Sequence, residues 1–190
     1  LSLGDHGYLD ELGHLHILDR QEDVITNTDG EIIYPRLVEN ELKSSPYIQE
    51  AVCFGKDKPY MTAILNIDMN SIGRWADNNR ILYTEYSDLS RNPKVVELIE
   101  QQVEQLMSKL SPQNRVKKFS ILHKQFTADQ GELTRTLKIR RNFVEQKYKI
   151  LLDGMYSDTQ EVSLTSSQME SVEEEVSLRV IQLKIEQGVA

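Results

Sequence analysis

Residues 48–67 read IQEAVCFGKDKPYMTAILNI and contain a strong β-hairpin signal, around which the rest of the domain can be arranged. Two apolar runs rich in β-branched side chains, residues 48–54 and 60–67, are separated by the turn-forming segment Gly55–Pro59. Runs of this length with Gly and Pro between them are typical of a β-hairpin. Since the run around Cys53 is apolar throughout, we expect it to be a buried strand.

Four helices are predicted around this hairpin. The longest has apolar side chains every three or four residues, which is the spacing of one buried helix face (Val96, Ile99, Val103, Leu106 and Leu110). A proline in the first turn and an aspartate as N-cap mark two helix starts, at Pro35 and Asp68. The predicted helices run from Pro35 to about Ser44, from Asp68 to about Asn79, from Pro93 to Leu110 and from Ile139 to Leu152.

Short strands with tight turns are expected elsewhere. The predicted strands are His14–Leu18, Asp23–Thr26 and Val116–Leu122, and the loop Asn27–Gly30 has residues that tolerate positive φ. Helices and strands do not alternate in the regular way of a doubly wound sheet. The sequence therefore predicts a small α+β domain with short hairpins and a three-stranded sheet flanked by helices.

The tail of the chain has a different composition. Residues 163–171 are rich in Ser, Thr and Gln, which is typical of a linker. Val172, Val176, Val180 and Leu183 then recur at helical spacing. We therefore predict a tail helix over residues 172–185, which packs on its own domain or on a second chain. The acidic residues 173–175 beside that face argue against a membrane-surface helix.

The composition is that of a soluble globular protein, with 190 residues, 39% of them apolar and 27% charged. The single cysteine, Cys53, excludes a disulfide framework within the chain and favours a reducing compartment. His14 and His16 have no further ligand at metal-site spacing, so no metal site is predicted. The first residues lack the pattern of a signal peptide and do not include Met, so we expect a fragment of a longer protein.

Charge is unevenly distributed along the chain. The net charge of −8 argues against a general nucleic-acid binder. Residues 115–149, however, contain ten Lys or Arg and only three Asp or Glu. Residues 158–190 contain two Lys or Arg and seven Asp or Glu. A basic stretch of this kind faces an anionic ligand or is simply a solvated surface, and composition alone leaves both interpretations open.

Three motifs occur in a fixed order. They are GDHGY at residues 4–8, LDRQEDVI at 18–25 continuing through GEIIYP at 30–35 to VEN at 38–40, and GELTRTLKIRR at 131–141. In this order and spacing they resemble the adenylate-forming superfamily of acyl-CoA synthetases, luciferases and peptide-synthetase adenylation domains. The segments GEIIYP and ELTRTLK are most similar to those of the long-chain fatty acyl-CoA synthetases. The resemblance covers about residues 1–152 and identifies them as a C-terminal domain with a short lead-in.

The resemblance implies a two-step ligase reaction. A fatty-acid carboxylate attacks the α-phosphate of ATP to give acyl-AMP and pyrophosphate, and the CoA thiol then converts acyl-AMP to the thioester and AMP. In the family, a large N-terminal domain holds most of the site, with Mg²⁺ on the phosphates. The C-terminal domain swings about a hinge and presents a different face for each step. A chain without the N-terminal domain is therefore expected to be inactive, and a cytoplasmic location is expected, with peripheral membrane contact left open.

The same resemblance divides the chain into three parts. Residues 1–18 are expected to end the N-terminal adenylation domain, residues 19–152 to form the mobile C-terminal domain, and residues 153–190 to form the linker and tail helix. The phosphate-binding loop and the acyl pocket of the family do not occur in this sequence, because both belong to the N-terminal domain. Arg135 also departs from the family, since many long-chain members have proline there.

Five residues receive roles from the resemblance. Lys138 matches the lysine that enters the site for adenylation, where an ammonium offsets the repulsion between a carboxylate and a phosphate. Asp5 and Arg20 match residues that contact the ribose of the nucleotide, which suits an acceptor carboxylate and a planar guanidinium. Asp19 matches the hinge residue, and Gly30 matches the glycine of the loop that enters the site for the thioester step.

Simpler interpretations of these residues stay open. They are a solvated lysine at Lys138, a turn aspartate at Asp5, a surface charge pair at Asp19 and Arg20, and a hairpin glycine at Gly30. Three alternatives at the level of function also remain. The parent protein could pass the acyl group to a carrier protein, the domain could be a non-catalytic binding module, or it could be an assembly domain that dimerises through the tail helix.

Overall fold

The computed structural model describes residues 5–20, 23–165 and 175–184. Its helices are α1 (Pro35–Leu42), α2 (Met69–Asn78), α3 (Tyr86–Arg91), α4 (Pro93–Met107), α5 (Arg141–Lys147) and α6 (Lys149–Met155), with a 3₁₀ turn at Pro112–Asn114. The four helices predicted between Pro35 and Leu152 are all present. The helix α3 was not predicted, and the last predicted helix is divided at Tyr148 into α5 and α6. None of the helices in the described ranges is long and apolar enough to cross a bilayer.

The strands form one main sheet and three small hairpins. They are β1 (Asp5–Leu9), β2 (Leu15–Arg20), β3 (Ile25–Thr26), β4 (Ile32–Ile33), β5 (Ile48–Phe54), β6 (Met61–Ile67), β7 (Val116–Ile121), β8 (Glu161–Thr165), β9 (Glu175–Arg179) and β10 (Ile181–Gln182). The main sheet has the order β10-β7-β6-β5, and the hairpins are β1-β2, β3-β4 and β8-β9. The α+β class is therefore confirmed.

The hairpin predicted for residues 48–67 forms one side of the main sheet, with β5 as the edge strand. β5 and β6 pair antiparallel, with Val52 opposite Ile64, and β6 pairs parallel with β7, with Ala63 opposite Phe119. A parallel pair needs a long crossover connection, which here contains α2, α3 and α4. Every residue of β6 is buried, as expected for a strand covered on both faces.

Each face of the main sheet has its own apolar core. One face packs against α1, α2, α3 and α4, and its strands contribute Cys53, Leu65 and Phe119. The other face packs against α5, α6 and the β8-β9 hairpin, and its strands contribute Val52 and Ile64. Alternate residues along β5 and β6 thus enter different cores, because successive side chains of a strand point to opposite faces.

The predicted linker and tail helix are wrong in the residues that the structure describes. Residues 163–165 belong to β8, Glu175–Arg179 form β9, and Ile181–Gln182 form β10. Val176 and Val180 are four residues apart. This spacing fits one turn of a helix, and it also fits a strand, in which every second side chain lies on the same face. Leu178 between them decides for a strand, since Val176, Leu178 and Val180 are all buried and Ser177 is exposed. Residues 166–174 and 185 of these two predictions lie outside the described residues.

The three-stranded sheet is also a correction, because the main sheet has four strands. The additional strand, β10, comes from the tail and pairs antiparallel with β7 through Ile181 and Phe119. Without β10, the hydrogen-bonding groups on that side of β7 would form an open sheet edge, which proteins usually cover. The tail is thus an integral part of the sheet.

Candidate functional site

Lys138 lies in a short β-hairpin that we call the Lys138 hairpin, residues 132–140. Leu133 and Ile139 form an antiparallel bridge, and the Arg140 amide donates to the Glu132 carbonyl at 2.9 Å. The turn is closed by the Thr134 amide, which donates to the Lys138 carbonyl at 2.8 Å. Oγ1 of Thr134 accepts from the Lys138 amide at 3.0 Å. The turn thus closes with Arg135 in place and needs no proline at that position.

The tip of the Lys138 hairpin projects into solvent. Leu137 is 70% exposed and has φ +58°, and Lys138 is exposed as well. Within the described ranges, no hydrogen bond or ion pair of the Lys138 ammonium is seen. Lys138 borders a polar groove of about 350 Å³, whose other lining residues include Asp23, Arg36, Lys43 and Glu50. An exposed cation of this kind is available to an anionic ligand.

A buried carboxylate holds the first strand of the Lys138 hairpin. Glu132 is 0% exposed and accepts from the Tyr148 hydroxyl at 3.0 Å and from the Thr127 amide at 3.0 Å. The ammonium of Lys147, itself almost fully buried, lies 2.9 Å from Oε1 of Glu132. Burial, together with the Glu132 carboxylate, raises the pKa of Tyr148 above its ordinary value, so its hydroxyl remains a donor. These contacts attach the Lys138 hairpin to α5.

A second carboxylate holds the other end of the Lys138 hairpin. The guanidinium of Arg141 donates to both carboxylate oxygens of Glu39, at 2.6 and 3.0 Å. The same guanidinium donates to the Cys53 carbonyl at 2.6 Å, and Oε1 of Glu39 accepts from the Cys53 amide at 2.8 Å. Burial lowers the pKa of Arg141, but the Glu39 carboxylate more than offsets this and the net shift is upward. Arg141 therefore stays charged.

Gly30 lies in the loop of the β3-β4 hairpin, and we call residues 27–31 the Gly30 loop. Its φ is +80°, a conformation that favours glycine, and the Gly30 amide donates to the Asn27 carbonyl at 3.1 Å. The Asn27 side chain organises the loop, because its Oδ1 accepts from the amides of Asp29 and Glu31 at 3.0 and 2.8 Å. The hairpin interpretation of Gly30 is thus confirmed, and the structure leaves its role in the thioester step as a prediction.

The Lys138 hairpin and the Gly30 loop border different grooves. The groove beside the Gly30 loop has a volume of about 390 Å³ and is lined by Asp29, Glu31, Tyr60, Arg115 and Lys117, among others. It shares no lining residue with the groove beside Lys138. One small domain thus carries two separate polar surfaces.

Asp5, Asp19 and Arg20 lie in the β1-β2 hairpin, and their side chains are outside the described part of the structure. Their backbones are described. Asp5 is the pairing partner of Arg20, and His6 is the partner of Asp19. The hairpin therefore brings the two predicted ribose-contacting residues opposite each other, although 14 residues separate them in the sequence.

Four charged residues of the site that are buried or partly buried were not predicted as functional: Glu39, Glu132, Arg141 and Lys147. Three of them lie inside the motifs that carry the resemblance. A charged residue at a position that the fold buries needs a partner of opposite charge. No local pattern could identify these partners, since Glu39 and Arg141 are 102 residues apart.

Comparisons with known proteins agree with this geometry. The family model of the AMP-binding enzyme C-terminal domain matches residues 22–160. The long-chain-fatty-acid–CoA ligase FadD15 of Mycobacterium tuberculosis is 32% identical over 155 residues, which are 81% of this chain and 26% of that protein. The human long-chain-fatty-acid–CoA ligase ACSBG2 is 29% identical over 174 residues, 82% of this chain and 26% of that protein. The chain thus spans about a quarter of the length of these relatives.

Solved structures show the same fold. The adenylation domain of a carboxylate reductase from Mycobacterium chelonae superposes with a TM-score of 0.63 at 21% identity, over 82% of this chain and 23% of that one. The corresponding domain from Segniliparus rugosus, in complex with AMP, superposes with a TM-score of 0.62 at 18% identity. The superposition covers 81% of this chain and 23% of that one. Because the family model covers most of the chain, the protein belongs to the AMP-binding enzyme C-terminal domain family.

Proposed function

We propose that this chain is the C-terminal part of an AMP-forming long-chain fatty acid–CoA ligase. The observation that carries the proposal is the Lys138 hairpin, which presents one exposed ammonium at its tip. One buried and one partly buried ion pair attach the two ends of this hairpin to the domain. Two named relatives at about 30% identity, FadD15 and human ACSBG2, are long-chain-fatty-acid–CoA ligases, which supports the substrate class.

In this proposal, Lys138 acts in the adenylation step. The fatty-acid carboxylate and the α-phosphate of ATP are both negative and must approach each other. An ammonium between them offsets this repulsion and stabilises the charge that develops in the transition state. Because the hairpin is held at both ends, the ammonium would be brought to the site with little reorganisation of its own backbone.

The Gly30 loop would act in the second step. It lies beside a different groove from Lys138, as expected if the domain turns between two orientations and uses a different surface in each. The remaining parts of the proposal are ribose contacts by Asp5 and Arg20, a hinge at Asp19 and a preceding N-terminal domain that supplies the acyl pocket. A cytoplasmic location is also proposed, with membrane contact to be tested by cell fractionation.

Mg²⁺ is expected on the phosphates of ATP. The described residues contain no group of three His, Cys, Asp or Glu side chains that could hold a metal ion, so we do not propose a Mg²⁺ site among them. We therefore assign Mg²⁺ to the nucleotide and the preceding domain, and no step is derived through it.

The test is a comparison of the full-length ligase with its Lys138→Ala variant. We expect the wild type to form palmitoyl-CoA and AMP from palmitate, ATP and CoA, and the variant to lose about 10²–10³-fold in the rate of acyl-AMP formation. Acyl-CoA formation from added palmitoyl-AMP should remain close to the wild-type rate, since the ammonium acts before that step. The measurements are ATP–pyrophosphate exchange and thioester formation.

The matched control is Lys149→Ala, which removes a 71% exposed lysine of α6 and should leave both steps unchanged. A wild type that forms acyl-AMP but no CoA thioester would favour transfer to a carrier protein. A wild type that forms neither product with any acid would contradict the ligase and favour a binding module.

A further inference from the structure

We propose that Glu39 and Arg141 are positioning residues that hold Lys138 in place for adenylation, an inference that rests on the proposed function. Arg141 follows Lys138 by three residues and is the first residue of α5. Glu39 lies on α1, which begins four residues after the Gly30 loop. The forked contact between them connects the end of the Lys138 hairpin to a helix that is distant in sequence.

The Glu39–Arg141 pair is attached to the main sheet as well. β5 is the last strand of the sheet order, so its outer edge has no neighbouring strand in that sheet. Both backbone groups of Cys53 are engaged at this edge, the amide by Glu39 and the carbonyl by Arg141. Three elements, α1, β5 and the start of α5, therefore meet at one pair of side chains.

The tip of the Lys138 hairpin depends on these attachments. Leu137 is the one large apolar side chain at the tip, and it is 70% exposed, so it contributes little packing. The backbone hydrogen bonds of the turn fix its shape, but they do not fix where the turn stands on the domain. The ion pairs at the two ends set that position together with Leu133 and Ile139, which pack against the second core. Of the two ion pairs, Glu39–Arg141 is nearer to Lys138 in the sequence.

Arginine is specifically suited to this role. Its planar fork donates in parallel to both oxygens of one carboxylate and reaches the Cys53 carbonyl at the same time. A lysine would keep the charge, but as a single ammonium it cannot reproduce this arrangement. We therefore expect Arg141→Lys to keep the domain folded while loosening the Lys138 hairpin.

The first readout is amide hydrogen exchange of the 190-residue chain. In Arg141→Lys and in Glu39→Gln, exchange over residues 133–139 should become about tenfold faster than in the wild type, whereas exchange in β6 should not change. The control is Lys109→Gln, which breaks the exposed ion pair between Lys109 and Glu41, 3.2 Å apart. Glu41 lies on α1 like Glu39, and this variant should leave the exchange of residues 133–139 unchanged.

The second readout separates the two steps in the full-length ligase. Both variants should lower the rate of acyl-AMP formation about 10- to 100-fold, because a small displacement of a catalytic group is costly. Thioester formation from added acyl-AMP should stay within about twofold of the wild type. The double variant should be no slower than the slower single variant, since the two residues act as one unit.

Equal slowing of both steps, or faster exchange throughout the domain, would overturn the proposal in favour of a purely structural pair. Unchanged exchange at residues 133–139 would overturn it too. A wild-type ligase that forms no acyl-AMP would instead contradict the proposed function alone, because the exchange comparison needs no activity.

Discussion

Buried ionisable side chains are the most informative residues of this domain. Glu132 and Tyr148 are fully buried and the Lys147 side chain is nearly so, but Glu132 accepts from the Tyr148 hydroxyl and forms an ion pair with Lys147. An unpaired charge at such a position would lower the free energy of unfolding by several kcal/mol, so each charged residue of this cluster needs its partner. Replacing one member alone is therefore more harmful than the loss of a surface ion pair.

His123 is a buried residue without such compensation. It is 6% exposed, and among the described residues its Nδ1 has no hydrogen-bond partner. Burial lowers the pKa of His123 from 6.5 to about 4, helped by the nearby charges of Lys124 and Arg91 and opposed by Glu132. The native protein therefore holds this imidazole neutral, whereas the unfolded chain protonates it below about pH 6.5.

We predict that His123 makes the domain sensitive to mild acid. Its contribution to the free energy of unfolding is present above about pH 6.5 and is lost as the pH falls towards 4, because the unfolded state then binds more protons. His123→Gln should remove this part of the pH dependence. Urea unfolding of both proteins at pH 7 and pH 4.5 measures it.

The control for this experiment is His14→Gln, since the side chain of His14 is 70% exposed. Its unfolding curves should follow those of the wild type at both pH values. The same pH dependence in the wild type and in His123→Gln would contradict the prediction.

At the scale of elements, close packing of α6 on β8 explains a glycine inside a helix. Gly154 lies in α6, where glycine is unfavourable by about 1 kcal/mol relative to alanine. A Cβ on Gly154 would overlap Cγ2 of Val162 in β8. Val162 is β-branched and buried, so it has little freedom to move away. The glycine therefore permits the contact between the helix and the tail hairpin.

We predict that Gly154→Ala destabilises the domain by about 1–3 kcal/mol despite the better helix propensity of alanine. The double variant Gly154→Ala/Val162→Ala should be more stable than the sum of the two single effects predicts, because the second change makes room for the new methyl group. Chemical unfolding of the four proteins of this cycle gives the coupling energy. Strictly additive effects would show that the two residues do not meet.

At the scale of the whole molecule, the tail completes the second core. Val162, Leu164, Val176, Leu178 and Val180 are all at most 9% exposed and pack with α5, α6 and the sheet. The apolar side of the tail is thus occupied within its own chain. The alternative of an assembly domain that dimerises through a free tail helix is therefore wrong for the described residues.

We predict that ending the chain after residue 157 lowers the melting temperature by more than about 10 °C. Each of the five buried tail side chains stabilises the fold by about 1.5–3 kcal/mol, and their removal exposes Leu152 and Met155 to water. Thermal unfolding by circular dichroism measures the effect. If the shortened chain cannot be purified, Leu178→Ala in the 190-residue chain should still lower the free energy of unfolding by about 2–5 kcal/mol. The control is Ser163→Ala, since Ser163 is exposed.

Light scattering provides an independent readout. The 190-residue chain should have the same mass per particle in the wild type and in Ser163→Ala, whereas the shortened chain should self-associate through its exposed core. A shortened chain that is monomeric and melts like the wild type would contradict the role of the tail.

Most elements could be predicted from the sequence because their signals are local. The apolar runs of β5 and β6, the N-cap Asp68 of α2 and the apolar face of α4 each lie within a few residues. Asp68 does accept from the Ser71 amide at 2.8 Å. The short helix α3 was not predicted, since its capping contacts between Glu85 and Asp88 involve common surface residues without an apolar repeat.

The α+β class, the β5-β6 hairpin, the family and the candidate lysine could all be predicted, because strand and helix periods and the motifs are encoded in neighbouring residues. The strands of the tail depend on folding, since the four-residue spacing of Val176 and Val180 fits both periods and burial against α6 selects the strand. The tertiary structure also decided which carboxylate holds the Lys138 hairpin. The pairing of Glu39 with Arg141 depends on chain folding over 102 residues, and no local pattern encodes such a contact.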